Sequence, residues 1–271
     1  MPCLRPVAAV AVVVCAAVTG CGSELVAEPG PPATELRVEV VATHPHDPGA
    51  FTQGLEIDDG ELIEGTGRAG RSWVAARPID VSGVNTVLDA TERTRVPVPG
   101  DLFGEGITVV GDDLWQLTWK DGVAIVRDRG TLLEQRRVDY DGEGWGLCSQ
   151  PGRLVMSDGS ADLIFRDPST FGELGRVTVH REGRAVSDLN ELECAEDGKV
   201  YANIWQTDEI VRIDPDSGRV DARIDAAPLR ELLPDGAEVD VLNGIASVPG
   251  TDRFLVTGKY WPSLFEVRFV P

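Results

Sequence analysis

The stretch "DLFGEGITVVGDDLWQLTWKDGVAIVRD" (101–128) contains three short apolar runs separated by glycine- and aspartate-rich joints. Runs rich in β-branched and aromatic residues, joined in this way, are typical of β-strands connected by hairpins. A further run, "EQRRVDY" (134–140), follows at once. The stretch therefore predicts a four-stranded antiparallel sheet.

This arrangement recurs along the chain. Five segments begin with a polar or aromatic residue, continue with a small or short residue and end with an aliphatic one. They are "QGL" (53–55), "EGI" (105–107), "WGL" (145–147), "NEL" (190–192) and "NGI" (243–245). A turn and further apolar runs follow each segment. The interval of roughly 40–50 residues is typical of four-stranded propeller blades.

The repeats predict an all-β fold, a five-bladed β-propeller over residues 36–271. The fifth unit reaches Pro271 after only three strands, whereas the early run "ELRVEVVATH" (35–44) has no unit of its own. We expect this N-terminal strand to close the last blade, because closure removes the open edges of a sheet. Two sandwich domains are the alternative fold.

The N-terminal segment has the composition of an export signal. One positive charge, Arg5, precedes an apolar run that is too short to span a bilayer. "VTGC" (18–21) resembles the bacterial lipobox, which predicts a lipoprotein signal peptide over 1–20 and lipidation of Cys21. An ordinary signal peptide is the alternative. We expect a flexible tether over 21–35, and a protein on the outer face of the bacterial cell membrane or secreted.

The composition limits the partners of the folded domain. The net charge is −20, with 45 acidic against 25 basic residues. Such a surface repels nucleic acid and anionic lipid, so we expect membrane attachment only through the lipid anchor. Cys148 and Cys194 remain in the folded part of an exported chain, where they form either a disulfide or two separately buried thiols.

The first residue of each repeat is expected to lie on the inner strand, at the mouth of the central channel. These residues are Gln53, Glu105, Trp145, Asn190 and Asn243. A second repeat position, at the end of the second strand, carries Trp119, Trp205 and Lys259, and Asp158 lies next to it. A single Trp taken alone would be explained better by packing within a blade. Shared repeat positions favour a common pocket.

A lone carboxylate among aromatic rings is partly desolvated, so it can exchange protons near neutral pH. Asn and Gln supply neutral donors for a carbonyl group. The chain's histidines, His44, His46 and His180, lack the spacing of a zinc site. The pattern therefore indicates proton-transfer chemistry on a small polar substrate, with no metal ligands and no required cofactor.

Stretches with the same motifs occur in a known family. They are "HDPGAFTQGLEI" (46–57), "LFGEGIT" (102–108), "LTWKDG" (117–122), "EGWGL" (143–147), "SDGS" (157–160), "DLNELE" (188–193), "ANIWQTDEIVRIDPDSG" (202–218), "LNGIA" (242–246) and "TGKYWPSLFEV" (257–267). Together they resemble the plant and bacterial glutaminyl-peptide cyclotransferase (glutamine cyclotransferase) family. The resemblance implies a five-bladed propeller enzyme that converts N-terminal glutamine of peptides or proteins to pyroglutamate and releases ammonia.

The resemblance also implies roles for single residues. The family's acidic catalytic residue corresponds to Glu105. The implied substrate-binding residues are Phe51, Gln53, Trp119, Trp145, Asp158, Asn190, Trp205 and Lys259. We expect a monomer that needs no metal, unlike the zinc-dependent animal enzyme.

Two other functions are compatible with a propeller, because one fold serves many functions. One is a non-catalytic, cell-surface propeller that binds a peptide or glycan. The other is a calcium-dependent, lactonase-like hydrolase, with Glu105, Asn190 and Asn243 as ligands on the axis.

Overall fold

The computed structural model describes residues 31–83, 86–89 and 91–271. The predicted signal peptide (1–20) and the predicted lipidation site, Cys21, lie outside the described residues, as does most of the predicted tether. The first strand begins at Thr34, two residues before the predicted start of the propeller. No helix in the described ranges is long and apolar enough to cross a membrane.

The described chain is built almost entirely from short strands. Strand β1 spans Thr34–Pro45. The strands of the first unit are β2 (Thr52–Asp58), β3 (Glu61–Thr66), β4 (Trp73–Asp80), β5 (Val87–Leu88) and β6 (Thr94–Pro97). Those of the second unit are β7 (Gly104–Val110), β8 (Asp113–Thr118), β9 (Val123–Asp128) and β10 (Glu134–Asp139). Those of the third are β11 (Leu147–Gln150), β12 (Arg153–Met156), β13 (Asp162–Arg166) and β14 (Glu173–Thr178).

The C-terminal half continues the pattern. A two-stranded hairpin comprises β15 (His180–Arg181) and β16 (Arg184–Ala185). The fourth unit consists of β17 (Leu189–Cys194), β18 (Val200–Ile204), β19 (Glu209–Ile213) and β20 (Val220–Asp225). After a single helical turn, α1 (Pro228–Glu231), the chain ends with β21 (Leu242–Ser247), β22 (Arg253–Gly258) and β23 (Ser263–Val270).

Pairing within each unit follows the chain order and is antiparallel. In the first unit β6 pairs with β4 as the fourth strand, while β5 pairs with the other end of β4. The last unit is completed by β1, which runs antiparallel to β23 from Arg37 opposite Val270 to Pro45 opposite Ser263. The prediction that the N-terminal strand closes the last blade is therefore confirmed. Strand β1 also pairs in parallel with β20 of the preceding unit.

The inner strands of the units are β2, β7, β11, β17 and β21. Each contacts the next in this order, and β21 contacts β2, so the strands form a closed ring. The all-β, propeller-like architecture predicted from the repeats is thus confirmed. The cores lie between neighbouring sheets, as where Trp115 stacks on Phe171 with ring centroids 5.1 Å apart.

A disulfide joins two neighbouring inner strands. Cys148 of β11 and Cys194 of β17 are bonded, with their Cα atoms 5.4 Å apart and a sequence separation of 46. Closing a loop of this length restricts the unfolded chain, which corresponds to about 4 kcal/mol of stability in the chain-entropy treatment.

Glycine is required where the inner strands approach the axis. A Cβ on Gly54 would lie 2.7 Å from the amide nitrogen of Ile107, and one on Gly106 would lie 2.6 Å from that of Leu147. At Gly146 a Cβ would lie 2.1 Å from the carbonyl oxygen of Asn190. Each contact is with the backbone of the next inner strand, which has no freedom to move aside.

We expect Gly146→Ala to destabilise the fold strongly, because the added methyl group overlaps backbone in the next inner strand. Overpacking costs about 1–3 kcal/mol and occasionally more, and each kcal/mol lowers Tm by about 2–4 °C in a domain of this size. Thermal unfolding checks it. The matched control is Gly130→Ala on an exposed turn, where the nearest side-chain atom would lie at 3.6 Å. Equal Tm values for the two variants would contradict the crowding at the axis.

Candidate active site

A cavity of about 220 Å³ opens at one end of the ring of inner strands. It is lined by Phe51, Gln53, Arg68, Phe103, Glu105, Trp119, Trp145, Asn190, Trp205 and Lys259. The first repeat position supplies Gln53, Glu105, Trp145 and Asn190. The second supplies Trp119, Trp205 and Lys259, which each directly follow the second strand of their unit. Eight of the nine residues that the sequence indicated as catalytic or substrate-binding therefore meet around one space.

Glu105 lies on β7 at the bottom of the cavity and is only 3% exposed. Its Oε1 accepts a hydrogen bond from Gln53 Nε2 at 2.9 Å. The Gln53 amide is held in turn by Asn243, whose Nδ2 donates to Gln53 Oε1 at 3.1 Å and to the Thr52 carbonyl at 2.9 Å. This relay fixes the orientation of the carboxyl group.

Burial controls the electrostatics of the site. It raises the pKa of Glu105 well above its ordinary value; the positive charge of Lys259 and the Gln53 hydrogen bond oppose the rise, and the negative charge of Glu143 adds to it. Burial also lowers the pKa of Lys259 to about 8, against the attraction of Glu105 and Asp240. Burial therefore favours the neutral form of both groups.

The aromatic walls are held by a shared acceptor. Glu143 Oε2 accepts hydrogen bonds from the indole nitrogens of Trp119 at 2.9 Å and Trp145 at 3.1 Å. Trp145 meets Trp205 edge to face, with centroids 5.5 Å apart. Beneath Trp145 lies Gly159, where a Cβ would come within 2.7 Å of the indole ring. The walls are thus rigid and mostly apolar.

Asp158 does not line this cavity, so its predicted role in substrate binding is not supported by its position. Its Oδ1 accepts a hydrogen bond from the Ser160 amide at 3.0 Å, which stabilises the turn after β12. The repeat position that holds Trp119 and Trp205 in other units is taken here by Gly159. That glycine makes room for Trp145, and the neighbouring aspartate caps the turn.

Three residues of the site were not singled out from the sequence. Arg68 directly follows Gly67, which occupies the second repeat position, and Phe103 lies two residues before Glu105. Glu143 lies two residues before Trp145. All three residues lie within two positions of a repeat position, and this closeness could have indicated them from the sequence. The sequence could not have shown which residues of other units they contact.

More buried carboxyl groups lie further along the inner strands, away from the cavity. Glu191 accepts hydrogen bonds from the amides of Leu55 at 3.3 Å and Ile245 at 2.8 Å. Glu193 accepts one from the Ser247 hydroxyl group. Burial raises the pKa of Glu191 well above its ordinary value and that of Glu193 to about 7. These groups join strands and do not face the cavity.

The arrangement places a group that can exchange protons at the bottom of the cavity. Among the described residues no group of three His, Cys, Asp or Glu side chains could hold a metal ion. Asn243, one of three ligands suggested for a central calcium ion, does not line the cavity and donates to Thr52 and Gln53. What lies at the bottom is a buried carboxyl group beside a lysine and two amides.

Comparison with known proteins gives concordant matches. A family model described as glutamine cyclotransferase matches residues 8–269. The glutaminyl-peptide cyclotransferase of Arabidopsis thaliana is 38% identical over 236 residues, which are 85% of this chain and 71% of the relative. The crystal structure of Myxococcus xanthus glutaminyl cyclase is 36% identical with a TM-score of 0.78, and the match covers 88% of this chain and 98% of the other.

We expect stability to fall as pH rises through neutrality, partly because of Glu193. Its pKa is about 7 in the folded protein and near 4.5 when unfolded, so the folded state holds the proton more tightly. That contribution is fully present below pH ~4.5 and is lost by pH ~7. Glu193→Gln should reduce the pH dependence of the unfolding free energy over this range, as measured by denaturant titration. Exposed Asp121→Asn is the control, and an equal slope in both variants would contradict the assignment.

Proposed function

We propose, since this chain belongs to the glutamine cyclotransferase family, that its central cavity cyclises the N-terminal glutamine of peptides or proteins to pyroglutamate and releases ammonia. The observation that carries the proposal is the buried Glu105, which is oriented by Gln53 and faces a small aromatic cavity. The scheme needs no residue from a partner subunit, and we propose that the enzyme acts as a monomer.

Binding holds the glutamine in a folded conformer. The α-amine must reach the γ-carbonyl carbon of its own side chain, so the reaction needs only confinement to bring the two groups together. The cavity has room for about one side chain, and Trp119, Trp145 and Trp205 are among the residues that line it. These rings also exclude water, which would otherwise solvate the amine.

Glu105 transfers the protons. A peptide α-amine has a pKa near 8, so it must lose a proton before it attacks. Glu105 as carboxylate accepts a proton from the attacking nitrogen. As carboxylic acid it then donates a proton to the amide nitrogen, and the carbon–nitrogen bond to that nitrogen breaks, so that ammonia leaves. The raised pKa of Glu105 makes its carboxylate a stronger base toward the attacking nitrogen than an exposed glutamate would be.

The developing oxyanion needs donors in fixed positions. Lys259 and Asn190 line the cavity beside Glu105, and both are at most 4% exposed. Their N–H groups stabilise the negative charge that forms on the γ-carbonyl oxygen as the ring closes. No step in this scheme uses a metal ion or a cofactor, so we propose that none is required.

We expect Glu105→Gln to lower kcat by about 10²–10⁴-fold, because the amide keeps the shape of the group but cannot carry the proton. KM should change far less, since ground-state contacts are largely kept. The assay follows ammonia release and the matching loss of mass from a glutamine-initiated dipeptide, with and without chelator. The matched control is Asp158→Asn, which removes a carboxylate outside the cavity.

Two results would contradict the proposal. A folded Glu105→Gln protein with half of normal kcat would exclude Glu105 as the proton carrier. Activity that disappears with chelator and returns with added zinc or calcium would exclude a metal-free mechanism.

We also propose that the protein is exported and lipidated at Cys21. The disulfide between Cys148 and Cys194 supports an oxidising compartment. We expect Cys21→Ser to release the protein from the membrane fraction and to remove the lipid from its mass, whereas exposed Ser187→Ala should do neither. Unchanged mass and membrane association in the Cys21 variant would contradict lipidation.

A further inference from the structure

Arg68 is the cavity residue whose charge the proposed mechanism leaves unused. It follows β3, and its backbone is fixed by Ser72, whose Oγ accepts from the Arg68 amide at 2.7 Å and donates to its carbonyl at 2.8 Å. The guanidinium lies over the Phe51 ring, 3.9 Å from its centroid, and Nε donates to the Tyr260 hydroxyl at 2.8 Å. The side chain is therefore held in one orientation.

Its terminal nitrogens have no partner in the described part of the chain. No carboxylate there lies within 4.0 Å of Arg68, although acidic residues outnumber basic ones by 45 to 25. Other arginines, such as Arg93 and Arg129, are paired with acids. A planar pair of N–H groups that faces a cavity without a partner matches the geometry of a carboxylate.

The cavity holds a second cation close by. Lys259 Nζ lies 4.6 Å from the centroid of the same Phe51 ring, and the charge of Arg68 contributes to lowering the pKa of Lys259. Two neighbouring cations in a poorly hydrated space repel each other, and an anion bound between cavity and mouth would relieve that repulsion.

Lys259 and Arg68 are buried to different extents, so we expect them to contact different parts of a substrate. Lys259 is 4% exposed and interacts with Glu105 at the bottom, whereas Arg68 is half-buried and lies nearer the mouth. When the glutamine side chain fills the bottom, the next residue of the peptide is at the mouth. Its side chain is then within the part of the site that Arg68 lines.

We propose that Arg68 is a specificity-determining residue that binds an acidic side chain at the second position of the substrate. This inference rests on the proposed cyclisation. The guanidinium accepts the carboxylate as a bidentate partner, so peptides that begin Gln-Glu or Gln-Asp are preferred over neutral ones.

The test compares C-terminally amidated Gln-Glu and Gln-Gln dipeptides, which are nearly isosteric at the second position, using the full-length protein. We expect kcat/KM to be about tenfold higher for Gln-Glu, mainly through KM, because charge-assisted hydrogen bonds are stronger than neutral ones. The ratio is measured at one fixed ionic strength, because salt screens both the attraction between Arg68 and a carboxylate and the long-range repulsion of an acidic peptide by the negatively charged protein. Gln-Gln with a free carboxylate separates a side-chain carboxylate from a terminal one.

Variants of Arg68 test whether this residue causes the preference for Gln-Glu. In Arg68→Gln the ratio of kcat/KM for Gln-Glu to that for Gln-Gln should fall to about one. In Arg68→Lys the ratio should be intermediate, because lysine keeps the charge but lacks the two parallel N–H groups of the guanidinium. The matched control is Arg71→Gln, an exposed arginine on the same turn that does not line the cavity, and its ratio should match the wild type. Should Arg68→Gln fail to fold, the ratio in the lysine variant decides, and a ratio equal to that of the wild type would overturn the inference.

Each outcome is decisive. Equal rates for the amidated peptides, a preference only for the free terminal carboxylate, or a preference kept in Arg68→Gln would overturn the inference. If no peptide is cyclised, the proposed function fails, and tryptophan fluorescence then compares binding of amidated pyroglutamyl-glutamate and pyroglutamyl-glutamine. Tighter binding of the glutamate compound that is lost in Arg68→Gln would support the inference, and equal binding would overturn it.

Discussion

The meeting of five inner strands at one axis is the constraint on which the rest of the structure depends. Four of the five strands have glycine at the point of closest approach: Gly54, Gly106, Gly146 and Gly244. The fifth has Glu191, whose carboxyl group accepts backbone amides from β2 and β21. Gly54, Gly106 and Gly146 let backbone pack against the backbone of the next inner strand. Gly244 fits against the side chains of Thr257 and Thr52, and the single acid occupies the remaining space. The ring therefore closes with the backbone amides of Leu55 and Ile245 both hydrogen-bonded to Glu191.

The same constraint creates the active site. The residue before each of these five positions lies one step toward the mouth, where the strands diverge enough to leave room for side chains. Gln53, Glu105 and Asn190 therefore face the cavity, while Asn243 fixes Gln53 from behind. A carboxyl group in this position is buried because the ring is narrow, and its burial raises the pKa of Glu105 well above its ordinary value. The narrowness of the ring thus explains both the close packing of the inner strands and the raised pKa of Glu105.

The sequence predicted what repeats in the chain and missed what does not. Two repeat positions identified Glu105, Trp145 and Trp205, because a closed ring places equal positions at equal depth. The early strand was correctly assigned to the last unit, since that unit lacked its outer strand. Asp158 shows how far the repeat alignment can be carried. It lies one residue before a repeat position, and its side chain accepts a hydrogen bond within its own loop.

Contacts between units are also invisible to a repeat analysis. Glu143 holds two tryptophans of adjacent units, and Arg68 stacks on Phe51 and bonds to Tyr260, which lies 192 residues away in sequence. The pairing of Cys148 with Cys194 required the distance between two inner strands, which spacing alone did not supply.

Charge is distributed unevenly over this molecule, and the charge inside the cavity differs in sign from that of the surface. A net charge of −20 produces a surface that attracts a peptide's α-ammonium group but disfavours acidic peptides at long range. Inside the cavity the balance is reversed, because Lys259 and Arg68 are cations and the neighbouring Glu105 is shifted toward its neutral form. An ammonium group that enters such a space is destabilised relative to the free amine. The same field therefore favours loss of the proton that must leave before the nitrogen can attack.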